Sequence, residues 1–356
     1  MTDAVLVTGA FGLVGTATVR RLAAQGRHVV ATDLNTTANR KAADALPAGV
    51  KPKWTDLTDP QQVVALLDDV NPATIIHLAA VIPPACYANP QLARRVNVDA
   101  TENLVNAAAA QTNPSRFVQA SSIAVYGPRN PYRTADLLTA ETPVNPYDVY
   151  GQHKVEAEEI IRSSKLDWVI LRLGGVLSVD LGSLPMNPDM IYFESVLPTD
   201  GRLQTVDVRD VAHAFAAATT ADVAGRTLLI GGDDSHRQRQ GEIASSTAAA
   251  MGLVGATPPG RRGDPDDDER WFATDWMDTA TAQEVLEHQH HPWPQMLAEI
   301  SDDTGWKRYP LRVAAPLARE FLKRQSAYYR QPGEYADPWD AVRRKWGPPE
   351  ADRRTV

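Results

Sequence analysis

The stretch "VYGQHK" places Tyr150 and Lys154 four residues apart, which on a helix puts a phenol and an ammonium on one face. A tyrosine titrates near 10 in water, too high for a base at neutral pH, and a neighbouring ammonium lowers that value by favouring the phenolate. Such a pair can pass a proton to or from a reacting oxygen. By itself the spacing is common. Here it follows a strand-like run, "RFVQASS", that ends in the serine pair Ser121 and Ser122. Only one of two adjacent strand residues can face the same cleft.

A second constellation lies near the start of the chain. In "TGAFGLVG" (Thr8–Gly15) three glycines, Gly9, Gly12 and Gly15, follow the apolar run "AVLV". Gly9 permits a tight turn out of a strand, Gly12 leaves room for a ligand, and Gly15 lets the next helix approach the sheet. The helix N-terminus then offers N–H groups to a phosphate. The next strand ends in Asp33, at the spacing of a carboxylate that accepts hydrogen bonds from an adenosine ribose. That carboxylate repels a 2′-phosphate, and Arg40 is the nearest cation, so NAD is expected ahead of NADP. With a dinucleotide in place, the positive nicotinamide ring would further favour the Tyr150 phenolate, and Lys154 could hold the adjoining ribose.

Elements of a recognisable rhythm must position these groups. Apolar, β-branched runs at Ala4–Thr8, His28–Asp33, Thr74–Ala80, Arg116–Ser122 and Trp168–Leu173 alternate with amphipathic stretches of helical period. The pattern predicts a doubly wound parallel sheet with helices on both faces, a Rossmann-type α/β fold. We read residues 1–173 as the dinucleotide domain, joined by a helix and strand from 205–232. Residues 174–300 read as a smaller substrate region, and 301–356 as an aromatic, Arg-rich extension. "GRRGDPDDDER" (Gly260–Arg270) reads as an exposed loop or linker.

The composition narrows the function. A net charge of −8 without a concentrated basic face argues against nucleic acid, and no apolar run is long enough to span a bilayer. One cysteine, Cys86, forms no internal disulfide and suits a reducing cytoplasm. No basic, apolar-cored leader precedes the first strand, so secretion is not expected. His288, His290 and His291 lie close in sequence, but no second ligand cluster accompanies them, and no metal is expected.

Together these residues resemble the extended short-chain dehydrogenase/reductases, the NAD-dependent epimerase/dehydratase family, over roughly residues 3–235. The markers are "TGAFGLVG", Asp33, "TDLTD", "IIHLAA", "RVNVDATENLV", "ASSIAVYG", "YGQHK", "LRLGGV" and "TVDVRDVA". The resemblance implies that Phe11, Leu13 and Val14 share the cofactor loop with its glycines. It implies that Asp56 and Leu57 flank the adenine, that Leu78, Ala79 and Ala80 line the cofactor groove, and that Asn97 is a structural or water-relay position beside it. Ser122 would hydrogen-bond the substrate oxygen, Tyr150 would exchange the proton, and Lys154 would hold the ribose and tune Tyr150. A homodimer paired through the Tyr-x-x-x-Lys helices is implied as well.

The chain departs from the family at Gly175, where members acting on nucleotide sugars carry an asparagine that helps to bind the sugar diphosphate. The segment from Val176 to Thr205 is also short for one that wraps a nucleotide. Arg172, Arg202 and Arg209 are candidate anion binders, with Arg172 better suited to a structural part. Val81, Cys86 and Tyr87 follow the fourth strand and are candidate substrate contacts, together with Gly175. The leading expectation is an NAD-dependent oxidoreductase acting on a secondary alcohol or ketone. The alternatives are a sugar-nucleotide epimerase or dehydratase using the same residues, and a non-catalytic NAD-binding protein. The extension is expected either to form a lid or subunit contact or to pack as an extra helix. Its amphipathic piece, "LRVAAPLAREFLKR", is expected to pack on the protein rather than on a membrane surface.

Overall fold

The computed structural model describes residues 4–180, 182 and 187–350. Among the described residues ten strands form two sheets: β1 (Val5–Thr8), β2 (Val29–Asp33), β3 (Lys51–Trp54), β4 (Thr74–His77), β5 (Arg116–Ser122), β6 (Trp168–Leu173), β7 (Gly175–Leu177), β8 (Arg202–Asp207), β9 (Arg226–Ile230) and β10 (Arg237–Arg239). The larger is parallel throughout, in the order β3-β2-β1-β4-β5-β6-β9. This is the expected Rossmann-type α/β architecture. Every residue of β1 and β4 is buried, which is why these strands read as unbroken apolar runs. Successive strands run outward in opposite directions from β1 and β4. Their carboxyl ends therefore flank the switch point where such sheets bind ligands.

One strand ends earlier than the sequence reading has it and one strand was not in it. The fourth strand stops at His77 rather than Ala80, because the Leu78 and Ala79 N–H groups donate to Thr8 Oγ1 at 3.2 and 3.3 Å and leave the ladder. β3, "KPKW", carries two lysines and a proline and shows no apolar run. It is an edge strand, where charge and proline deter further pairing.

The small sheet, β10-β8-β7, lies within residues 174–300, read as the smaller substrate region; β7 runs parallel and β10 antiparallel to β8. The loop at 260–270 is pinned rather than free: Asn130 Nδ2 donates to Asp268 Oδ1 at 2.8 Å, and Arg262 lies 3.2 Å from Asp200. Among the described residues, no helix is long and apolar enough to cross a membrane.

Candidate active site

The glycine loop leaves β1 with Gly9 at φ +62°, and a Cβ there would lie 2.7 Å from the Ala79 backbone nitrogen. Gly15 is the tighter position. A Cβ on it would fall 2.1 Å from the Gly9 carbonyl oxygen, so this glycine closes the helix onto the loop itself rather than onto a strand. The helix Leu13–Ala24 begins at Gly12 with no side-chain cap and no acidic residue in its first turn. Its leading N–H groups are thus available to an anion. Phe11 N–H and Leu34 N–H donate to the two oxygens of Asp33 at 3.3 and 2.8 Å, fixing the carboxylate beside the loop. Arg40 is turned onto Asn35 Oδ1 at 2.8 Å. Asp56 accepts from the Thr58 N–H and hydroxyl through one oxygen, and Leu57 is buried next to it. A loop crowded against Ala79, an uncapped helix and a fixed carboxylate together suit a dinucleotide.

Below Leu78–Ala80 runs a buried chain of hydrogen bonds that the sequence did not announce. Thr8 Oγ1 lies 2.7 Å from His77 Nδ1, and His77 Nε2 lies 3.1 Å from Thr101 Oγ1. The Thr101 hydroxyl donates to the Asn97 carbonyl at 3.0 Å, so it must accept from His77 Nε2–H. The Thr8 hydroxyl then donates to Nδ1. This assigns a neutral Nε2–H tautomer, and burial holds the imidazole pKa down at about 3. Asn97 itself sits in a π-helical turn, Arg95–Asp99, within a stretch whose pattern reads as one continuous helix. Its side-chain amide closes a two-way clamp on Val81, accepting from Val81 N–H at 2.7 Å and donating to its carbonyl at 2.9 Å. Asn97 thus shapes the loop after β4, and its amide is committed there.

The helix Val149–Ser163 carries Tyr150 and Lys154 on one face, with Lys154 Nζ 5.7 Å from the Tyr150 ring centre. Ser122 ends β5 and hydrogen-bonds Tyr150, which pulls the phenol's pKa down. Burial is the larger effect and raises it above the usual 10, with Cys86 and Asp148 adding to the rise. The sequence expectation that Lys154 would lower it is not met within the chain alone. Lys154 is itself buried, its pKa reduced to about 8, and it donates to the Ala120 carbonyl at 2.9 Å. Of the two serines, Ser121 is turned away and donates to Glu158 at 2.6 Å.

Asp148 caps the helix by accepting from Gly151 N–H at 3.0 Å. The Tyr87 hydroxyl donates to its other oxygen at 2.5 Å. Tyr87, read as a substrate contact, thus spends its hydroxyl on the helix that bears Tyr150. Cys86 is fully buried, its thiol pushed well up by burial.

The three arginines are all engaged internally. Arg172 forms a buried two-pronged pair with Glu158 at 2.9 and 2.6 Å, Arg202 donates to the Thr134 carbonyl, and Arg209 holds Asp207 and Glu299. A side chain at Gly175 would meet Leu203 at 3.0 Å. His288 Nε2 meets the Gly231 carbonyl at 3.1 Å while its buried Nδ1 has no partner among the described residues, His291 pairs with Asp210, and His290 stacks on His213.

The surroundings of Tyr150 are largely apolar, and part of them comes from the extension. Tyr150 packs against a cluster that includes Cys86, Tyr87, Phe193, Phe272 and Trp346. The helix Pro338–Trp346 stacks Trp339 on Tyr147 at 4.8 Å and on Phe272 at 5.0 Å, and sets Trp346 edge-on to Tyr192 at 5.4 Å. The Val149 N–H, in the first turn of the helix Val149–Ser163, donates to the Pro349 carbonyl at 2.7 Å. Aromatic residues in the tail were visible in the sequence; their destination was not.

The profile of the NAD dependent epimerase/dehydratase family matches residues 5–231, more than half of the chain, and the chain belongs to that family. Its curated relatives include the methionine adenosyltransferase 2 subunit beta of Bos taurus, 31% identical over 196 residues, covering 54% of this chain and 52% of the relative. The D-erythronate dehydrogenase of Cupriavidus necator is 31% identical over 179 residues, 48% of this chain and 54% of its own. The chain thus spans about half the length of the curated relatives it matches. Among solved structures, the UDP-glucose 4-epimerase of Thermus thermophilus, in complex with NAD, has a TM-score of 0.69 at 23% identity, covering 85% of this chain and 98% of the other. A short-chain dehydrogenase/reductase superfamily protein from Agrobacterium tumefaciens with bound NAD scores 0.67 at 23% identity, covering 89% and 100%.

Proposed function

We propose that this chain is an NAD-dependent oxidoreductase acting on a small, apolar secondary alcohol or ketone. The meeting of Ser122, Tyr150 and Lys154 at the end of β5, under an aromatic cover, carries the reading. The glycine loop and the uncapped helix would hold the pyrophosphate of NAD, and Asp33 would hold the adenosine ribose. NAD, when bound, supplies the acceptor or donor for the substrate's hydride at nicotinamide C4.

The chain's own residues manage the proton. Ser122 orients the substrate oxygen, and Tyr150 takes the proton from an alcohol or gives it to a nascent alkoxide. Lys154, positive below about pH 8, keeps a cation near the phenolate and the ribose. Arg172, Arg202 and Arg209 face acidic or carbonyl partners, and Leu203 stands against Gly175. That arrangement favours an apolar substrate over a sugar diphosphate. The helix Val149–Ser163, which carries the Tyr-x-x-x-Lys pair, is the pairing surface for a second copy in the cytoplasm.

The test is NADH oxidation at 340 nm across a panel of aliphatic and aromatic ketones. On the best substrate, Tyr150→Phe should reduce kcat by roughly 10²–10⁴. Turnover by that variant within threefold of the parent would remove Tyr150 from the chemistry.

A further inference from the structure

The helix Arg308–Gln325 leaves most of its apolar surface uncovered. Among the described residues, Ala315 is the one buried side chain in it. Tyr309, Val313, Leu317 and Phe321 recur every four residues and so share a face, and they are 68%, 81%, 78% and 54% exposed. Trp306, in the turn just before, is 74% exposed. The expectation that this segment packs its apolar side on the protein is therefore not met for this face; the side around Ala315 turns inward instead.

Charge decides what the outer face suits. Arg308, Arg312, Arg319 and Lys323 run along the flank of the apolar row, and Lys307 and Arg324 add to them, against a single acid, Glu320. That acid is already paired with Arg324 at 3.0 Å. A strongly basic segment in a chain of net charge −8 marks an anionic target. Pairing two copies antiparallel through this face would set cationic flank against cationic flank. An apolar stripe with Trp and Tyr at one end and a cationic border has the composition of a helix lying in a membrane interface. Tryptophan and tyrosine favour the headgroup level, and arginine and lysine meet anionic lipid.

We propose that the helix Arg308–Gln325 docks the protein on the surface of an anionic lipid bilayer, lying in the interface and not spanning it.

The full chain would be floated on sucrose gradients with vesicles of equal parts phosphatidylglycerol and phosphatidylcholine, and with phosphatidylcholine vesicles alone. Recovery with the anionic vesicles should be at least tenfold higher at low salt and should fall in 0.5 M NaCl. The Val313→Glu/Leu317→Glu double variant, shown folded by circular dichroism, should lose that recovery tenfold. Absence of flotation with the anionic vesicles, or equal flotation of the variant, would overturn the proposal. So would a concentration-dependent dimer that the double variant abolishes, since that assigns the face to a second copy. None of these readouts depends on turnover, so the docking stands or falls apart from the proposed chemistry.

Discussion

Replacing Tyr87 with phenylalanine removes one oxygen and leaves the buried Asp148 carboxylate without its side-chain donor. In the parent, burial raises the Asp148 pKa above its ordinary 3.8, and the Tyr87 hydroxyl is the strongest of the contacts that pull it back. A hydrogen bond to a charged group contributes about 1.5–3 kcal/mol, whereas a neutral one contributes about 0.5–1.5 kcal/mol. The loss should therefore depend on pH. An acid whose folded pKa exceeds its unfolded value costs the fold stability as pH rises through the interval between them. Tyr87→Phe widens that interval upward. Urea unfolding at pH 8 should show a loss of about 2–3 kcal/mol, which shrinks as the pH falls through the raised pKa of the folded carboxyl. Since Asp148 caps the helix that carries Tyr150, turnover should fall with the same pH trend. A loss below about 0.5 kcal/mol at pH 8 would show that Tyr87 does not hold an ionised Asp148.

The buried imidazoles give a stability loss at acid pH. Burial lowers the His77 pKa to about 3 and the His288 pKa to about 4, so the unfolded chain takes up protons below 6.5 that the fold refuses. Stability falls as pH drops from 6.5, and at pH 5 each costs about 2 kcal/mol. A urea midpoint unchanged between pH 7 and pH 5 would contradict this. Trp339→Ala removes a buried ring stacked on Tyr147 and Phe272 and should cost about 3–5 kcal/mol of local stability. Limited proteolysis should then cut within 326–349 first, while NADH binding, followed by fluorescence, stays within threefold of the parent; resistance equal to the parent's would refute the cover.

Much of the cofactor half could be read from the chain because its signals are local. Gly9, Gly12, Gly15 and Asp33 lie within one strand-helix-strand unit, and Tyr150 and Lys154 within one helical turn. The strands around them are buried on both faces and so are continuously apolar. What was hidden depends on partners far away in sequence. Nothing near Asn97 announces that its amide holds Val81. The link between Tyr87 and Asp148 joins a short helix after β4 to the cap of another helix. β3 escaped because an edge strand needs no apolar pattern, and Ser121 was separated from Ser122 only by the position of Glu158. The extension shows the limit most plainly, since aromatic composition says that rings will find apolar neighbours and not which ones.

The hydrogen bond between Val149 N–H and the Pro349 carbonyl bears on the order in which the molecule is made. A chain emerges from the ribosome amino end first, and its early units begin folding as they appear. The parallel sheet has all its strands once residue 230 is out. The first turn of the helix Val149–Ser163 then waits for a partner until Pro349 follows, and Tyr147 waits equally for Trp339. Synthesis thus completes the cofactor half well before the reacting end is covered, and a polypeptide released before Pro338 would keep the sheet but lack these contacts beside Tyr150.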